Sequence, residues 1–204
     1  METNMKLVIN ELHKAFDMFN KEYYKGQLPT PIIIVQTRGN KKNTLGWCTI
    51  NPIWENSETN EKKYEINIVA ETLNRGIHKV MSTLLHEMVH LHNLINGIKD
   101  VSRGNTYHNM RFKEVAERHG LIIEHDPRIG YSPSRLNNIS MNMIDKSNIN
   151  KSAFMIARMD IQQSVSSRQS YRKYICPSCG ANVRATKETN IICGDCKVEF
   201  EEEC

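Results

Sequence analysis

Two groups of residues in this chain of 204 have the types and the spacing to hold a metal ion. The first is Leu85-His86-Glu87-Met88-Val89-His90, an HExxH pattern. On a helix, residues four apart are offset by about 40°, so both imidazoles leave one face and can share a small tetrahedral ion. Glu87 stands about 60° from His90 on the same wheel, close to the ion without having to ligate it. That is the place for a general base taking a proton from water that zinc has acidified toward a pKa of about 7. The second group is Cys176-Pro177-Ser178-Cys179 and Cys193-Gly194-Asp195-Cys196, two CxxC knuckles with 13 residues between them. Four thiolates close a tetrahedral zinc sphere and leave no open position, so this site is expected to be structural and the chemistry to belong to the histidines.

Two imidazoles and an open position are too few, and a third protein ligand is required. The downstream candidates are His92, His108, His119 and His125, with Glu114, Glu117 and Glu124 as carboxylates. His92 is only two residues beyond His90, about 200° round the helix, and faces elsewhere. His108 follows a loop long enough to fold back, and Phe112, four residues on, would lock its helix into the core while His108 faces the metal. His119 and His125 read as structural, as does Cys48, a small buried hydrophobe on a strand.

Several elements must position these groups. Leu7, Ile9, Leu12, Phe16, Phe19 and Tyr23 make one apolar stripe, predicting a helix over 7–24 that Gly26 and Pro29 end. Residues 31–36, 45–53 and 64–69 read as strands, the last alternating Tyr64, Ile66 and Ile68 against Glu65 and Asn67. Residues 56–63 read as a polar loop. Apolar residues every three or four positions from Leu73 to Ile95 predict a long helix over 71–95, stopped at Asn96-Gly97. A second helix is expected over 108–118. From 128 to 170 the composition turns to Ser, Asn, Lys and Arg and predicts a linker with a short helix near 153–163. The stretches 182–186 and 190–192 alternate as a β-hairpin would, so residues 171–204 read as a zinc ribbon whose stability comes largely from its metal.

At this point the sequence resembles a known family. Thr83-Leu84-Leu85-His86-Glu87-Met88-Val89-His90, followed by His108-Asn109-Met110-Arg111-Phe112, is similar to the SprT-like metallopeptidases. Asn20 to Pro29 resembles that family's opening helix and Leu-Pro turn, and Leu45-Gly46-Trp47 its strand opening. Asn109 departs from the pattern, which has glycine there. The resemblance covers about residues 7–125. It implies an α+β fold, a small zincin-like domain with a short mixed sheet over 1–127, and that His108 completes a catalytic zinc site with His86 and His90. It further implies a zinc metalloendopeptidase acting on proteins bound or crosslinked to DNA, with DNA localising or activating it. C-terminal ribbons accompany many such domains.

Charge is unevenly distributed. Residues 1–127 hold 16 Lys+Arg against 15 Asp+Glu, residues 128–187 hold 10 against 2, and residues 188–204 hold 1 against 6. Arg168, Arg172, Lys173, Arg184 and Lys187 surround Tyr171 and Tyr174, an arrangement suited to phosphates and to stacking on unpaired bases, so single-stranded DNA is the expected nucleic-acid partner. The competing reading is a nucleic-acid-binding or adaptor protein with an idle metal site, against which the presence of Glu87 speaks. No apolar run reaches 18 residues and the N-terminus lacks the pattern of a secretory signal, so a cytoplasmic protein without a membrane partner is expected.

Overall fold

The first helix, α1 (Met5–Tyr24), begins where the Asn4 side chain accepts a hydrogen bond from the Leu7 amide and ends at Lys25, which takes a left-handed conformation. Its inward stripe is Val8, Leu12, Ala15, Phe16 and Phe19. Val8 takes the place of Ile9 in the expected stripe, and Tyr24 is buried beside Tyr23, which like Leu7 packs half-buried against the same core. A mixed sheet follows, in the order β1-β5-β2, from β1 (Ile32–Gln36), β2 (Gly46–Cys48) and β5 (Glu65–Val69). β1 runs parallel and β2 antiparallel to β5. The expected polar loop is the tip of a small hairpin, β3 (Trp54–Glu55) against β4 (Lys62–Lys63).

β5 is buried along its whole length, not on alternate residues. Ile66 and Ile68 enter the apolar core. On the other face Glu65 accepts from Trp54 Nε1 and Asn67 Nδ2, and Asn67 Oδ1 accepts from Gln36 Nε2. Burying these polar groups is tolerated because each has a partner.

The expected helix over 71–95 is divided in two. Residues Ala70–Arg75 form a 3-10 turn, and Gly76, at φ +93°, breaks the path before α2 (Ile77–Ile95). Such a φ is open to glycine at little cost. Nearly every residue from Val80 to Val89 is buried, so α2 is the central helix of the unit. β6 (Val101–Ser102) and β7 (Tyr107–His108) form a short antiparallel pair that brings the chain back to α3 (Met110–Arg118). His108 therefore lies on a strand and not on the helix. Asn109 caps α3 by accepting from the Arg111 and Phe112 amides, and its own amide group donates to the Lys99 carbonyl, which accounts for the departure from glycine here.

Residues 128–159 differ most from expectation. β9 (Ser134–Leu136) pairs antiparallel with β8 (Leu121–Ile123), α4 (Asn138–Lys146) follows, and a 3-10 turn, Lys151–Met155, overlaps only the start of the short helix expected over 153–163. Leu136, Ile144, Ile149, Ala153 and Phe154 are buried in the same core as α1 and α2. Two of the Asn residues that suggested a linker are caps: Asn137 accepts from the Ser140 amide and Asn150 from the Ser152 amide, while Glu11 of α1 accepts from the Asn150 amide. The computed structural model describes residues 4–39, 43–159 and 171–203, so residues 160–170 of the expected linker and helix lie outside the described residues. The chain divides into two units, Met1–Met159 and Asp160–Cys204.

In the second unit β10 (Arg172–Ile175) is the central strand of a three-stranded antiparallel sheet, between β11 (Asn182–Ala185) and β12 (Glu201–Glu203). β11 thus pairs with β10 and not with residues 190–192, which contribute one isolated bridge, Ile192 to Glu199. The architecture is α+β with small sheets, accompanied by a four-cysteine cluster compatible with a zinc ribbon. Among the described residues no helix is long and apolar enough to cross a membrane.

Candidate metal centres

One turn of α2 carries His86 and His90, and β7 brings His108 to them across the loop that the β6–β7 pair closes. The three Nε2 atoms form a triangle with sides of 3.0, 3.1 and 3.2 Å. The fully buried Phe112 ring lies 4.6–4.8 Å from all three imidazole centroids and serves as the floor of the cluster. Each opposite nitrogen has its own partner: His86 Nδ1 lies 3.1 Å from Ser134 Oγ, His90 Nδ1 2.8 Å from Asp100 Oδ2, and His108 Nδ1 3.4 Å from the Ile129 carbonyl. A carboxylate and a carbonyl can only accept, so they assign the proton to Nδ1 and leave the Nε2 lone pair free. The Ser134 hydroxyl can donate or accept, so at His86 it permits the same tautomer, and three Nε2 atoms then converge inside the protein, an arrangement that a shared cation stabilises.

The dimensions agree with zinc. Tetrahedral zinc at about 2.0–2.1 Å from its nitrogens sets them about 3.3 Å apart. Burial lowers the pKa of His86 well below the usual histidine value and, with the neighbouring His90, that of His108 to about 4. Both rings are therefore neutral near pH 7 and able to ligate. Burial would also lower His90, but the hydrogen bond to Asp100 and the Glu87 charge outweigh it and raise the value.

Glu87 is buried beside this triangle. Burial pushes its carboxyl up to about 7, against the opposing effects of His90 and of a hydrogen bond donated by the Cys48 backbone amide. β2 packs directly on it. A Cβ on Gly46 would come within 2.7 Å of the Asn67 carbonyl oxygen, 2.8 Å of Thr83 Cγ2 and 3.2 Å of Glu87 Oε1, so only glycine lets the strand approach this closely. Cys48 is half buried, its thiol pushed up by burial and by Glu87.

His92 and His119 sit away from the triangle in a stack with Tyr24, at ring separations of 4.4–5.3 Å, and His125 contacts Tyr107 and Tyr131. Glu114, Glu117 and Glu124 are exposed. Asp100, Asn93 and Ser134 are hydrogen-bond partners of the site that the sequence reading misses. For Asp100 a signal exists, because the Asn96-Gly97 stop turns the chain back along the last turn of α2. Ser134 is 48 residues from His86 and has none.

In the second unit the Sγ atoms of Cys176, Cys179, Cys193 and Cys196 all lie within 4.8 Å of one another, with Cys179 and Cys193 3.8 Å apart. Zinc at about 2.3 Å from four sulfurs would hold them about 3.8 Å apart. The two knuckles share one turn: the Cys176 amide donates to the Ala181 carbonyl and Gly180 back to Cys176, just as Cys193 donates to Val198 and Lys197 back to Cys193. The Cys179 and Ser178 amides hold the Cys176 thiol down to about 7, favouring the thiolate that binds metal.

The expected nucleic-acid residues are differently disposed. Arg172 pairs with Glu202 at 3.0 Å and Lys173 with Glu203 at 2.5 Å, across β10 and β12. Tyr174 is buried and its hydroxyl accepts from the Thr189 amide, so it cannot stack on a base, whereas Tyr171 is exposed. Arg168 lies outside the described residues. Residues 171–203 hold five Lys+Arg against six Asp+Glu, so the ribbon by itself is not basic.

The SprT-like family model matches residues 12–128, which include the HExxH helix, His108 and Phe112. No curated protein and no solved structure matches the chain.

Proposed function

The chain belongs to the SprT-like family, and from that membership we propose that it is a zinc-dependent endopeptidase that cuts proteins associated with or crosslinked to DNA. The observation that carries the reading is Glu87, buried beside three converging imidazole nitrogens. A purely structural metal has no use for a buried carboxylate at that place. His86, His90 and His108 would hold the ion. Zinc bound there supplies Lewis acidity, lowering the pKa of a water to about 7 and polarising a carbonyl oxygen. Glu87 takes the proton from the attacking water and delivers it to the leaving amine, and the Cys48 amide fixes the carboxylate in position for both transfers.

The substrate path is supported by β2. Leu45 and Thr49 use their backbone groups toward β5, which leaves those of Gly46 and the Cys48 carbonyl on the outer edge of the sheet, while the Cys48 amide is taken by Glu87. An extended peptide laid along that edge would hydrogen-bond to the strand and pass its own carbonyl beside the base. The DNA part of the proposal rests on the family resemblance and on the positive charge of residues 128–187, with Tyr171, Arg184 and Lys187 exposed to meet a single strand.

The test compares wild type with Glu87→Gln, both zinc-loaded, on a DNA-binding protein with and without single-stranded DNA. Loss of a general base lowers turnover by about 10²–10⁴-fold. Glu87→Gln is expected to lose cleavage by that factor while keeping its zinc, and DNA to raise wild-type cleavage. Near-normal cleavage by Glu87→Gln refutes the mechanism, and cleavage indifferent to DNA refutes the substrate class.

A further inference from the structure

A histidine that gives one ring nitrogen to a metal must keep its proton on the other, and the partner of that second nitrogen selects the tautomer and aims the ring. For His86 the partner is the hydroxyl of Ser134, 3.1 Å from Nδ1. Ser134 is itself fixed on two sides. Its residue pairs with Ile123 in the β8–β9 ladder, and its carbonyl accepts from Ser82 Oγ at 3.0 Å, four residues before His86 on the same helix. The hydroxyl is thereby delivered to the imidazole with its backbone held from both directions.

The other end of the same segment grips His108. The Ile129 carbonyl accepts from the His108 amide at 3.0 Å and faces its Nδ1 at 3.4 Å, and the Tyr131 amide donates to the His108 carbonyl at 3.0 Å. Between these contacts the chain passes at Gly130, with φ +72°. A Cβ there would lie 2.1 Å from the His108 carbonyl oxygen and 2.9 Å from the Tyr107 ring. Any other residue would push the third imidazole away, in addition to the strain of its own backbone.

We infer that Ile129–Ser134, which lies beyond the family match, is a strap that holds two of the three imidazoles in register, with Ser134 the positioning residue for His86. His86 comes from α2 and His108 from β7, and the strap is bonded to both. His90 is held separately, by Asp100. The inference rests on the reading of the histidine triangle as a metal centre. It places part of the metal-holding machinery in a stretch whose composition suggests a linker.

The experiment measures zinc affinity at the histidine site of the full chain, by competition with a chromophoric chelator, with the cysteine site as internal reference. Wild type is compared with Ser134→Ala, Ser134→Thr and Gly130→Ala, and each is also melted in excess chelator to monitor folding. Removing the hydrogen-bond partner of a ligating histidine weakens metal binding by about 10–100-fold. Ser134→Ala is expected to lose about tenfold at the histidine site only, Ser134→Thr to recover wild-type affinity, and Gly130→Ala to lose at least as much as Ser134→Ala. A residue with a merely structural role would lower the melting temperature and leave the affinity where it was. Wild-type affinity in Ser134→Ala or in Gly130→Ala overturns the strap, as does a threonine that fails to rescue. Uptake of zinc by the cysteines alone in wild type would instead overturn the metal-centre reading, a result distinct from an affinity that the variants do not move.

Discussion

Asp100 should control how tightly the histidine site holds its metal. Its Oδ2 accepts from His90 Nδ1 at 2.8 Å and from Asn93 Nδ2 at 2.9 Å, and Asn93 is fully buried. Asp100→Ala removes the one oxygen that accepts both bonds. The ring of His90 loses a charge-assisted bond worth about 1.5–3 kcal/mol, and the stranded Asn93 amide costs about 1–3 kcal/mol. Part of that loss appears as lowered stability of the fold. The part that bears on the metal is set by the freedom His90 gains to turn or change tautomer, about 10–100-fold in affinity, or about 1.4–2.7 kcal/mol. Asp100→Asn can still present an oxygen to both donors but carries no charge, so it should lose less than the alanine variant. The assay is zinc competition on the full chain, with the cysteine site unaffected. An Asp100→Ala affinity within about twofold of wild type, or an asparagine variant weaker than the alanine one, would refute the idea that this carboxylate orients and charges His90.

Two further outcomes are expected. Gly46→Ala places a methyl group against the Asn67 carbonyl, Thr83 and Glu87, so it should destabilise the fold by about 1–3 kcal/mol and lower cleavage more than zinc binding; chemical denaturation and zinc titration separate the two effects. Burial would raise the Glu71 carboxyl, but hydrogen bonds from Thr37, the Arg38 amide and Arg158 outweigh it and hold it at about 2. A folded value below the unfolded one gives stability that is present above about pH 4.5 and lost as pH falls toward about 2. Arg158 is half exposed and water screens the pair, so the share is about 1 kcal/mol. In Glu71→Gln the pH dependence of stability should be flatter over that range, as measured by denaturant melts.

What the sequence determined by itself are the features that one turn of chain encodes. His86 and His90 meet because a helix brings residues four apart to one face, and each CxxC pair meets because a knuckle is a local turn, so these pairs are readable before any fold is known, whereas His108 joins the first pair from β7. The apolar stripe of α1, from its periodicity, and β1, from its β-branched run, are readable for the same reason, both being local properties. Tertiary structure decided the rest. Gly76 divides the expected long helix because its φ, and not its neighbours' hydrophobicity, sets the chain direction. β5 is buried on both faces because Trp54, Gln36 and Asn67 satisfy its polar side, a condition that alternation along one strand does not reveal. Residues 128–159 read as a linker because Asn and Ser are common to loops and to helix caps, and only their partners distinguish the two uses. Above all, the second nitrogen of each clustered histidine meets Asp100, Ile129 or Ser134, and Ile129 and Ser134 are brought there by the bridge of Gly130 to His108 and by the pairing of β9 with β8. Ligand identity is a matter of spacing along the chain, whereas ligand orientation is a matter of packing between distant segments.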